Sequence, residues 1–301
     1  MENGSKLQTN KRNSRRKPSW LKRKIPAGAA YRELNTLLDK SGITTVCREA
    51  RCPNLGECYS RGTATFMILG AICTRACRFC AVTNGEPLPP DAEEPHTIAR
   101  ACSQMKLSYA VVTSVTRDDL SDGGSAQFAA TISAIRDAVP RIGIEVLIPD
   151  FQGDSTALDT VLSASPDVLN HNIETVPRLY TKVRPGADYS RSLGVFSYAA
   201  QKYKGALKSG LMLGLGEQSD EVLNVLTDLL NAGVSRLTLG QYLMPSQSQL
   251  PVAEYITPDA FDKWRDTALS LGFSAVASGP FVRSSYHAES LVNIPESKIC
   301  F

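Results

Sequence analysis

Six of the eight cysteines lie within residues 47–80 and form two groups of three. The first group has the spacing CxxxxCxxxxxC and the second has the spacing CxxxCxxC. Their members are Cys47, Cys52 and Cys58 in the first group and Cys73, Cys77 and Cys80 in the second. A structural zinc site is closed by four ligands, and neither group has a fourth cysteine or a histidine at ligand spacing. Three thiolates on an iron–sulfur cluster leave one iron open for a substrate or cofactor, and the spacing favours this chemistry.

The charge is distributed unevenly along the chain. Residues 1–24 contain nine Lys or Arg and one acid, whereas the rest carries 24 basic and 29 acidic residues, a net charge of −5. A basic arm can bind nucleic acid or an acidic protein partner. No aromatic stacking pattern or recognition fold follows the arm, so we expect no nucleic-acid partner.

The lengths and positions of the apolar stretches bear on membrane insertion and cellular location. None approaches the ~18 residues of a spanning helix, so we expect no membrane span. The N-terminus has no apolar signal core, which favours a cytoplasmic location. Because thiols stay reduced in the cytoplasm, a disulfide framework is a poor explanation of the cysteines, and metal binding is the better one.

Strand-like and helix-like segments alternate from residue 63 onward. Strands are predicted at 63–69, 109–115, 142–148, 166–173, 205–213 and 235–243. Helices are predicted at 93–106, 124–138, 155–164, 190–204, 219–231 and 258–271, the last capped by Thr257 and Pro258. Six such units predict an α/β fold with a parallel sheet, a partial (β/α)6 TIM-like barrel. The first cysteine group is predicted to lie in a loop.

In barrels of this kind, the chemistry lies in the loops that follow the carboxyl ends of the strands. The second cysteine group follows the first predicted strand, and TRDDLSDGG follows the second. The segment HNIETV lies at the fourth strand, and GLGEQSD follows the fifth. We therefore expect these segments to meet at one mouth of the barrel.

The segment CTRACRFC, with Phe79 before its last cysteine, resembles the signature of the radical S-adenosylmethionine (SAM) superfamily. The first cysteine group and the segments HNIETV, VRPGADY, SGLMLGLGE and ASGPFVRSSYHA are similar to the lipoyl synthase family, from about residue 16 to 290. The resemblance implies a partial barrel whose N-terminal and C-terminal extensions carry an auxiliary iron–sulfur cluster. The implied segments are a basic tail (1–24), an extension with the first cysteines (25–62), the barrel (63–272) and an extension with the RSSY motif (273–301).

The resemblance implies two [4Fe-4S] clusters and SAM as cofactors. The second cysteine group would hold the cluster that cleaves SAM to a 5′-deoxyadenosyl radical. The first group would hold the auxiliary cluster, whose fourth ligand in the family is a serine of the RSSY motif. We assign Ser285, although the sequence alone does not separate it from Ser284, and we predict that Ser285 and Arg283 act in catalysis. A serine oxygen is a harder donor than a thiolate, so its iron would be the labile corner of a sacrificial cluster.

The family reaction inserts two sulfur atoms, at C6 and C8 of an octanoyl chain attached to a lysine of a lipoyl carrier domain. The implied partners are an octanoylated 2-oxoacid dehydrogenase E2 domain or glycine cleavage H protein, and an electron donor such as ferredoxin or flavodoxin. The residues predicted to contact SAM are Phe79, Thr113, Ser114, Asn172, Glu174 and Arg184. The arginines beside the cysteines either offset cluster charge or are solvated; they are Arg48, Arg51, Arg75 and Arg78.

Three alternatives remain open from the sequence. A redox carrier or cluster scaffold could hold two clusters without cleaving SAM. A sulfur-inserting enzyme resembling biotin synthase would share the second cysteine group, but it is not expected to combine the first group with a C-terminal serine motif. A zinc-binding interaction protein is the third. Of the other cysteines, Cys102 is expected to be a small buried residue, and Cys300 is expected to be incidental.

Overall fold

A computed structural model describes residues 17–22 and 28–291. The strands are β1 (Thr65–Ile68), β2 (Ile72–Cys73), β3 (Thr83–Asn84), β4 (Tyr109–Ser114), β5 (Gly143–Leu147), β6 (Val168–Asn170), β7 (Ala206–Leu213), β8 (Arg236–Gln241) and β9 (Ala275–Gly279). The helices are α1 (Ala29–Lys40), α2 (Val46–Glu49), α3 (Leu55–Ser60), α4 (Glu94–Gln104), α5 (Ser125–Ala138), α6 (Ser155–Ser163), α7 (Tyr180–Val183), α8 (Tyr189–Lys202), α9 (Ser219–Asn231) and α10 (Pro258–Leu271). Short 3-10 turns lie at Ser19–Leu21, Phe151–Gly153, Pro177–Leu179 and Ala288–Leu291.

Seven parallel strands form the main sheet in the order β1-β4-β5-β6-β7-β8-β9. The chain thus adds each strand beside the previous one, and helices between successive strands give the βα winding of a barrel wall. A separate parallel pair, β2 with β3, brackets the loop that carries the second cysteine group. The sheet has the α/β architecture of a partial TIM-like barrel, as the sequence predicts.

The six predicted strands and six predicted helices are confirmed, with ends that agree within three residues. Helix α10 begins as expected, because the Thr257 hydroxyl accepts a hydrogen bond from the backbone N–H of Ala260 and Pro258 occupies the first turn. Two expectations were wrong. The sheet has a seventh main strand, β9, whose small residues Ala, Ser and Gly give no β-branched signal beyond one valine. The first cysteine group lies only partly in a loop: Cys52 does, whereas Cys47 lies on α2 and Cys58 on α3, two helices that are too short to show helical periodicity.

The two faces of the sheet have different chemistry, because successive side chains of a strand point in opposite directions. Val112, Ile144 and Val146 belong to the apolar face and are completely buried in the hydrophobic core. Glu145 and Lys208 lie on the other face, also completely buried, and hydrogen-bond to each other. The barrel interior is therefore polar, which suits a chamber for chemistry more than a packed core.

Within residues 17–22 and 28–291, no helix has both the length and the apolar character that a bilayer crossing requires. Cys102 is completely buried in α4, as expected for a small core residue. Cys300 and the basic tail, apart from residues 17–22, lie outside the described residues.

Candidate metal centres

The first cysteine group is folded by short backbone hydrogen bonds around α2 and α3. The N–H of Cys52 donates to the carbonyl of Cys47 over 3.0 Å, and that of Cys58 donates to the carbonyl of Asn54 over 2.9 Å. The Asn54 side chain donates to the carbonyl of Phe281 over 2.7 Å. These contacts bring a segment from near residue 50 against a segment more than 200 positions later in the chain.

One cavity is lined by all three cysteines of the first group and by Ser285. Its other polar walls include Glu57, Arg61, Arg283, Tyr286 and His287. Ser284 does not line this cavity, and its hydroxyl donates instead to Asn172 Oδ1 over 2.7 Å. Of the two serines that the sequence leaves open, Ser285 is the one that the fold brings to the first cysteine group.

A polar layer covers this cavity. The Tyr286 hydroxyl donates to Glu57 Oε1 over 2.8 Å, and an Arg61 Nη1–His287 ring nitrogen contact measures 3.1 Å. None of these four residues was singled out from the sequence. The RSSYHA segment offered a signal for His287, but its partner Arg61 lies 226 positions away and no spacing pattern links the two.

The electrostatics of the first group show three thiols held close together. Burial, with a further contribution from Cys52, raises the pKa of Cys47 to about 11. Burial, with contributions from Cys47 and Cys52, raises the pKa of Cys58 to about 12, and Arg61 opposes this shift. The Cys47 and Cys58 thiols are therefore mostly protonated near neutral pH, and bound iron would favour their thiolate forms.

The donor set fits an iron–sulfur cluster. All seven cysteines of the described ranges are free thiols, so that none of the six is committed to a disulfide. In those same ranges, no three His, Cys, Asp or Glu side chains converge as ligands of a single metal ion. Three sulfur donors and one hydroxyl around a cavity supply the four ligands that a cubane cluster takes.

The second cysteine group follows the carboxyl end of β1: Cys73 ends β2, and Cys77 and Cys80 lie in the loop between β2 and β3. Backbone N–H groups are directed at two of its sulfurs: Thr116 N–H at Cys73 Sγ over 3.3 Å, and Val82 N–H at Cys80 Sγ over 3.4 Å. Hydrogen bonds of this kind stabilise thiolate charge and tune a cluster. Burial, opposed by the Val82 N–H, raises the pKa of Cys80 to about 12.

Two predicted SAM contacts, Glu174 and Arg184, lie beside this group. Burial raises the pKa of Cys77, and of the surrounding charges Arg184 lowers it most, while Cys73 and Glu174 raise it. Arg184 Nη1 donates to the carbonyls of Asn172 and Ile173 over 3.0 and 3.2 Å. Asn172 Nδ2 donates to Glu174 Oε1 over 3.0 Å.

Two buried polar atoms of these predicted residues lack a hydrogen-bond partner among the described residues: Ser114 Oγ and Arg184 Nε. Unpaired buried donors are costly, and a polar ligand relieves the cost. Burial also raises the pKa of the Glu174 carboxyl group, which a cationic amino group would offset. The Arg184 guanidinium and the Glu174 carboxylate, which lie near each other, are of the charge types that fit the carboxylate and ammonium groups of SAM.

Two other predicted contacts are engaged elsewhere. The Thr113 hydroxyl donates to the carbonyl of Leu147 on the neighbouring strand over 3.0 Å. Phe79 is half-buried and packs against the hydrophobic core. These contacts give both residues a structural role, and a contact between either of them and SAM stays a prediction.

The four arginines beside the cysteines differ in what they contact. Arg75 is bound by two carboxylates, with distances of 2.6 Å to Asp118 and 2.7 Å to Asp150. Arg48 binds Asp39 and Asn35. The remaining two, Arg51 and Arg78, are exposed. Arg75 therefore braces the second cysteine loop through carboxylates, and it acts on the Cys77 thiol less than Arg184 does.

Comparison with known proteins places the chain in a family. Residues 67–229 match the model of the radical SAM superfamily, and residues 1–52 match the model of the N-terminal domain of lipoyl synthase. The lipoyl synthase of Chlorobium phaeovibrioides is 55% identical over 276 residues, which are 91% of this chain and 97% of that protein. The chain belongs to the lipoyl synthase family. Lipoyl synthases of Rubrobacter xylanophilus and Haemophilus influenzae (strain Rd) are 54% and 53% identical, over 90% and 91% of this chain and 85% and 87% of those proteins.

Solved structures agree on the fold of this lipoyl synthase family member. Streptococcus suis SuiB bound to SAM superposes with a TM-score of 0.57 at 10% identity, covering 74% of this chain and 54% of SuiB. Methylornithine synthase superposes with a TM-score of 0.51 at 14% identity, covering 82% and 81%. Membership of the radical SAM superfamily gives the enzyme a [4Fe-4S] cluster and SAM as cofactors.

Proposed function

We propose that this lipoyl synthase family member inserts two sulfur atoms, at C6 and C8 of an octanoyl-lysine on a lipoyl carrier domain, with its two cysteine groups holding two clusters of different task. The second group would hold the cluster that serves SAM. The first group, completed by Ser285, would hold an auxiliary cluster that donates sulfur. The observation that carries the proposal is the common cavity of Cys47, Cys52, Cys58 and Ser285.

At the second cysteine group, the residues of the chain would bind the cluster and orient SAM. A cluster and SAM bound there supply a 5′-deoxyadenosyl radical, which removes hydrogen from unactivated C–H bonds. Cys73, Cys77 and Cys80 provide three thiolates, and N–H groups directed at their sulfurs stabilise the charge. Ser114 and Arg184 have unpaired polar atoms for SAM, and Glu174 offers a carboxylate to its amino group.

At the first group, the auxiliary cluster supplies sulfide. The Ser285 hydroxyl, as the fourth ligand, is a harder donor than the three thiolates, so it would release its iron first as sulfur is consumed. Burial raises the pKa of Cys58, and Arg61 opposes part of this rise, so Arg61 favours the thiolate form that binds iron. Tyr286 and His287 form part of the polar wall of this cavity.

Hydrogen bonds link the surroundings of the two proposed sites. Asn172 hydrogen-bonds both to Glu174, beside the second cysteine group, and to Ser284, the neighbour of Ser285. An octanoyl chain that reaches this interior would therefore meet the radical source and the sulfur source within one chamber.

The proposed partners follow from this reaction. An octanoylated E2 domain or glycine cleavage H protein would present the lysine arm, and ferredoxin or flavodoxin would reduce the clusters. Reduced thiols and oxygen-sensitive clusters favour the cytoplasm. The basic tail would dock an acidic carrier surface, because opposite charges steer association.

The test is anaerobic reconstitution of the full chain, followed by a single turnover with an octanoyl-lysyl peptide, SAM and dithionite. The proposal predicts about eight irons per chain, 5′-deoxyadenosine, and a peptide that gains two sulfur atoms. About four irons, or SAM cleavage without sulfur in the peptide, would refute the two-cluster assignment.

A further inference from the structure

A buried ion pair occupies the barrel interior next to the RSSY segment. Lys208 of β7 and Glu145 of β5 have side chains with 0% exposure, and Lys208 Nζ lies 2.8 and 3.0 Å from the two carboxylate oxygens. The same carboxylate accepts from the Tyr109 hydroxyl over 3.0 Å and from Asn170 Nδ2 over 2.9 Å. Four neighbouring strands, β4 to β7, each contribute one member to this cluster.

The third hydrogen bond of Lys208 connects this group of buried polar side chains to the C-terminal segment. An ammonium has three N–H donors, and two of those on Lys208 are used by Glu145. The third donates to the backbone carbonyl of Ser284 over 2.7 Å. If residue 284 moved away, a buried charged donor would lose its partner, and such losses are costly for a side chain with no exposure. The position of Ser284 is therefore tied to the ion pair.

Ser284 is held from a second direction as well. Its hydroxyl donates to Asn172 Oδ1 over 2.7 Å, so that Lys208 and Asn172 bind its carbonyl and its side chain. Gly210 leaves room for this contact because it has no side chain. A Cβ added there would lie 2.8 Å from Ser284 Oγ and 2.7 Å from Asn172 Oδ1, which is too close. Strand β7 therefore accommodates Ser284 because it has glycine at position 210.

Ser285, the next residue in the chain, is the proposed ligand of the auxiliary cluster. Ser285 lines the cavity of the first cysteine group, whereas Ser284 does not. In an irregular segment, a residue keeps its direction only when its neighbours are fixed. We propose that Lys208, backed by Glu145, is a positioning residue that anchors Ser284 and thereby holds the Ser285 hydroxyl at the first cysteine group. This inference rests on the proposed role of Ser285 as the fourth ligand of the auxiliary cluster.

The test uses the full chain with Lys208→Met and with the double change Lys208→Met/Glu145→Gln. The double variant leaves no unpaired charge in the interior. The amide oxygen of the new glutamine accepts from Asn170 Nδ2, and its NH2 group donates to the Tyr109 hydroxyl, so the variant folds even where the single variant fails. Lys202→Met is the matched control, because Lys202 forms an ion pair with Asp159 on the surface, at 48% exposure.

The first readout does not depend on any cluster: peptide-level hydrogen exchange of residues 281–287 in the cluster-free chain. The double variant is expected to exchange there at least about tenfold faster than the wild type, while the strands keep their protection. Lys202→Met is expected to exchange like the wild type. Unchanged exchange at residues 281–287 in the double variant would overturn the proposal.

The second readout is the Mössbauer spectrum of the reconstituted protein, compared with Ser285→Ala. The double variant is expected to lose the signal of the oxygen-ligated iron, as Ser285→Ala does, and to keep SAM cleavage. Retention of that signal by the double variant, or loss of both clusters together, would overturn the proposal. If Ser285→Ala itself keeps the wild-type spectrum, the ligand assignment fails, and hydrogen exchange still decides whether Lys208 anchors the segment.

Discussion

Ser284 donates a hydrogen bond to Asn172 over 2.7 Å and thereby joins the C-terminal segment to the carboxyl end of the fourth main-sheet strand. Asn172 in turn donates to Glu174 over 3.0 Å, beside the second cysteine group. Two hydrogen bonds thus span the distance between the residue next to Ser285 and the region assigned to SAM. The C-terminal segment is thereby connected to the surroundings of the second cysteine group.

The two serines of the RSSY motif are expected to differ in their contribution. Ser285→Ala removes the oxygen donor at the first cavity, so sulfur insertion should fall at least ~100-fold while SAM cleavage persists. Ser284→Ala removes one hydrogen bond, whose net contribution is ~1 kcal/mol, so activity should fall by about tenfold or less. Both products are measured by mass spectrometry in single turnover. The opposite ranking of the two variants would contradict the assignment of Ser285.

Gly240 marks the closest approach of the barrel wall to the C-terminal segment. A Cβ at this position would overlap the carbonyl oxygen of Val282, which is backbone and cannot rotate away. Gly240→Ala should therefore displace the segment, and reconstituted iron should fall from about eight to about four per chain.

The control is Gly194→Ala in α8, where nothing lies within 4 Å of the added Cβ. This control should keep all its iron and gain ~0.5–1 kcal/mol of stability, because alanine is the better helix former. Full iron content in Gly240→Ala would show that the close approach has no functional consequence.

Much of the fold could be predicted because its elements carry strong periodic signals. Strand β4 (YAVVTS) is rich in aromatic and β-branched residues, and helix α9 opens with a polar N-cap and has a buried apolar stripe. Strand β9 has neither signal, since its sequence AVASG consists mostly of small residues and its pairing with β8 is a tertiary contact.

Some residues of the candidate site could likewise be predicted from the sequence, and others could not. The cysteines are visible in the sequence because their ligand spacing is local. The partners of Lys208 lie 63 and 76 positions away, and a lysine in a strand looks like a surface residue until the fold buries it. Ser284 and Ser285 are chemically identical, and only the path of the segment through the barrel decides which one meets the cavity.

Asp150 is expected to support the second cysteine loop through Arg75. Its carboxylate is completely buried, and although burial acts to raise its pKa, the hydrogen bonds and charge of Arg75 lower that pKa to about 2. Asp150→Asn would leave Arg75 with one carboxylate, so the free energy of unfolding should fall by about 3 kcal/mol. Thermal unfolding under anaerobic conditions and the iron retained by the loop measure the effect. Asp159→Asn, at the surface pair with Lys202, should change neither. Equal stability of the two variants would argue against a bracing role for Asp150.

His171 is expected to make stability depend on pH. The ring is buried between the carbonyl of Ile148 and the hydroxyl of Ser192, and burial lowers its pKa from 6.5 to about 4. Because the folded pKa lies below the unfolded one, the unfolded chain binds the proton first as pH falls. Stability is therefore complete above pH 6.5 and decreases by about 3 kcal/mol between pH 6.5 and 4.

The measurement compares the melting temperatures of the wild type and His171→Gln from pH 7.5 to 4.5. Cluster loss at low pH affects both proteins, so the difference between them isolates the histidine. The gap between the two proteins should narrow as pH falls. A gap that stays constant with pH would mean that His171 is not buried in its neutral form.

The most direct test of two clusters with different tasks is a pair of triple variants, measured side by side for iron, 5′-deoxyadenosine and sulfur in an octanoyl-lysyl peptide. With Cys47, Cys52 and Cys58 changed to Ala, the chain should keep about four irons and cleave SAM, yet transfer no sulfur. With Cys73, Cys77 and Cys80 changed to Ala, it should keep about four irons and cleave no SAM. Sulfur transfer by the first variant would contradict the account, because the sulfur would then come from a source other than the cluster at the first cysteine group.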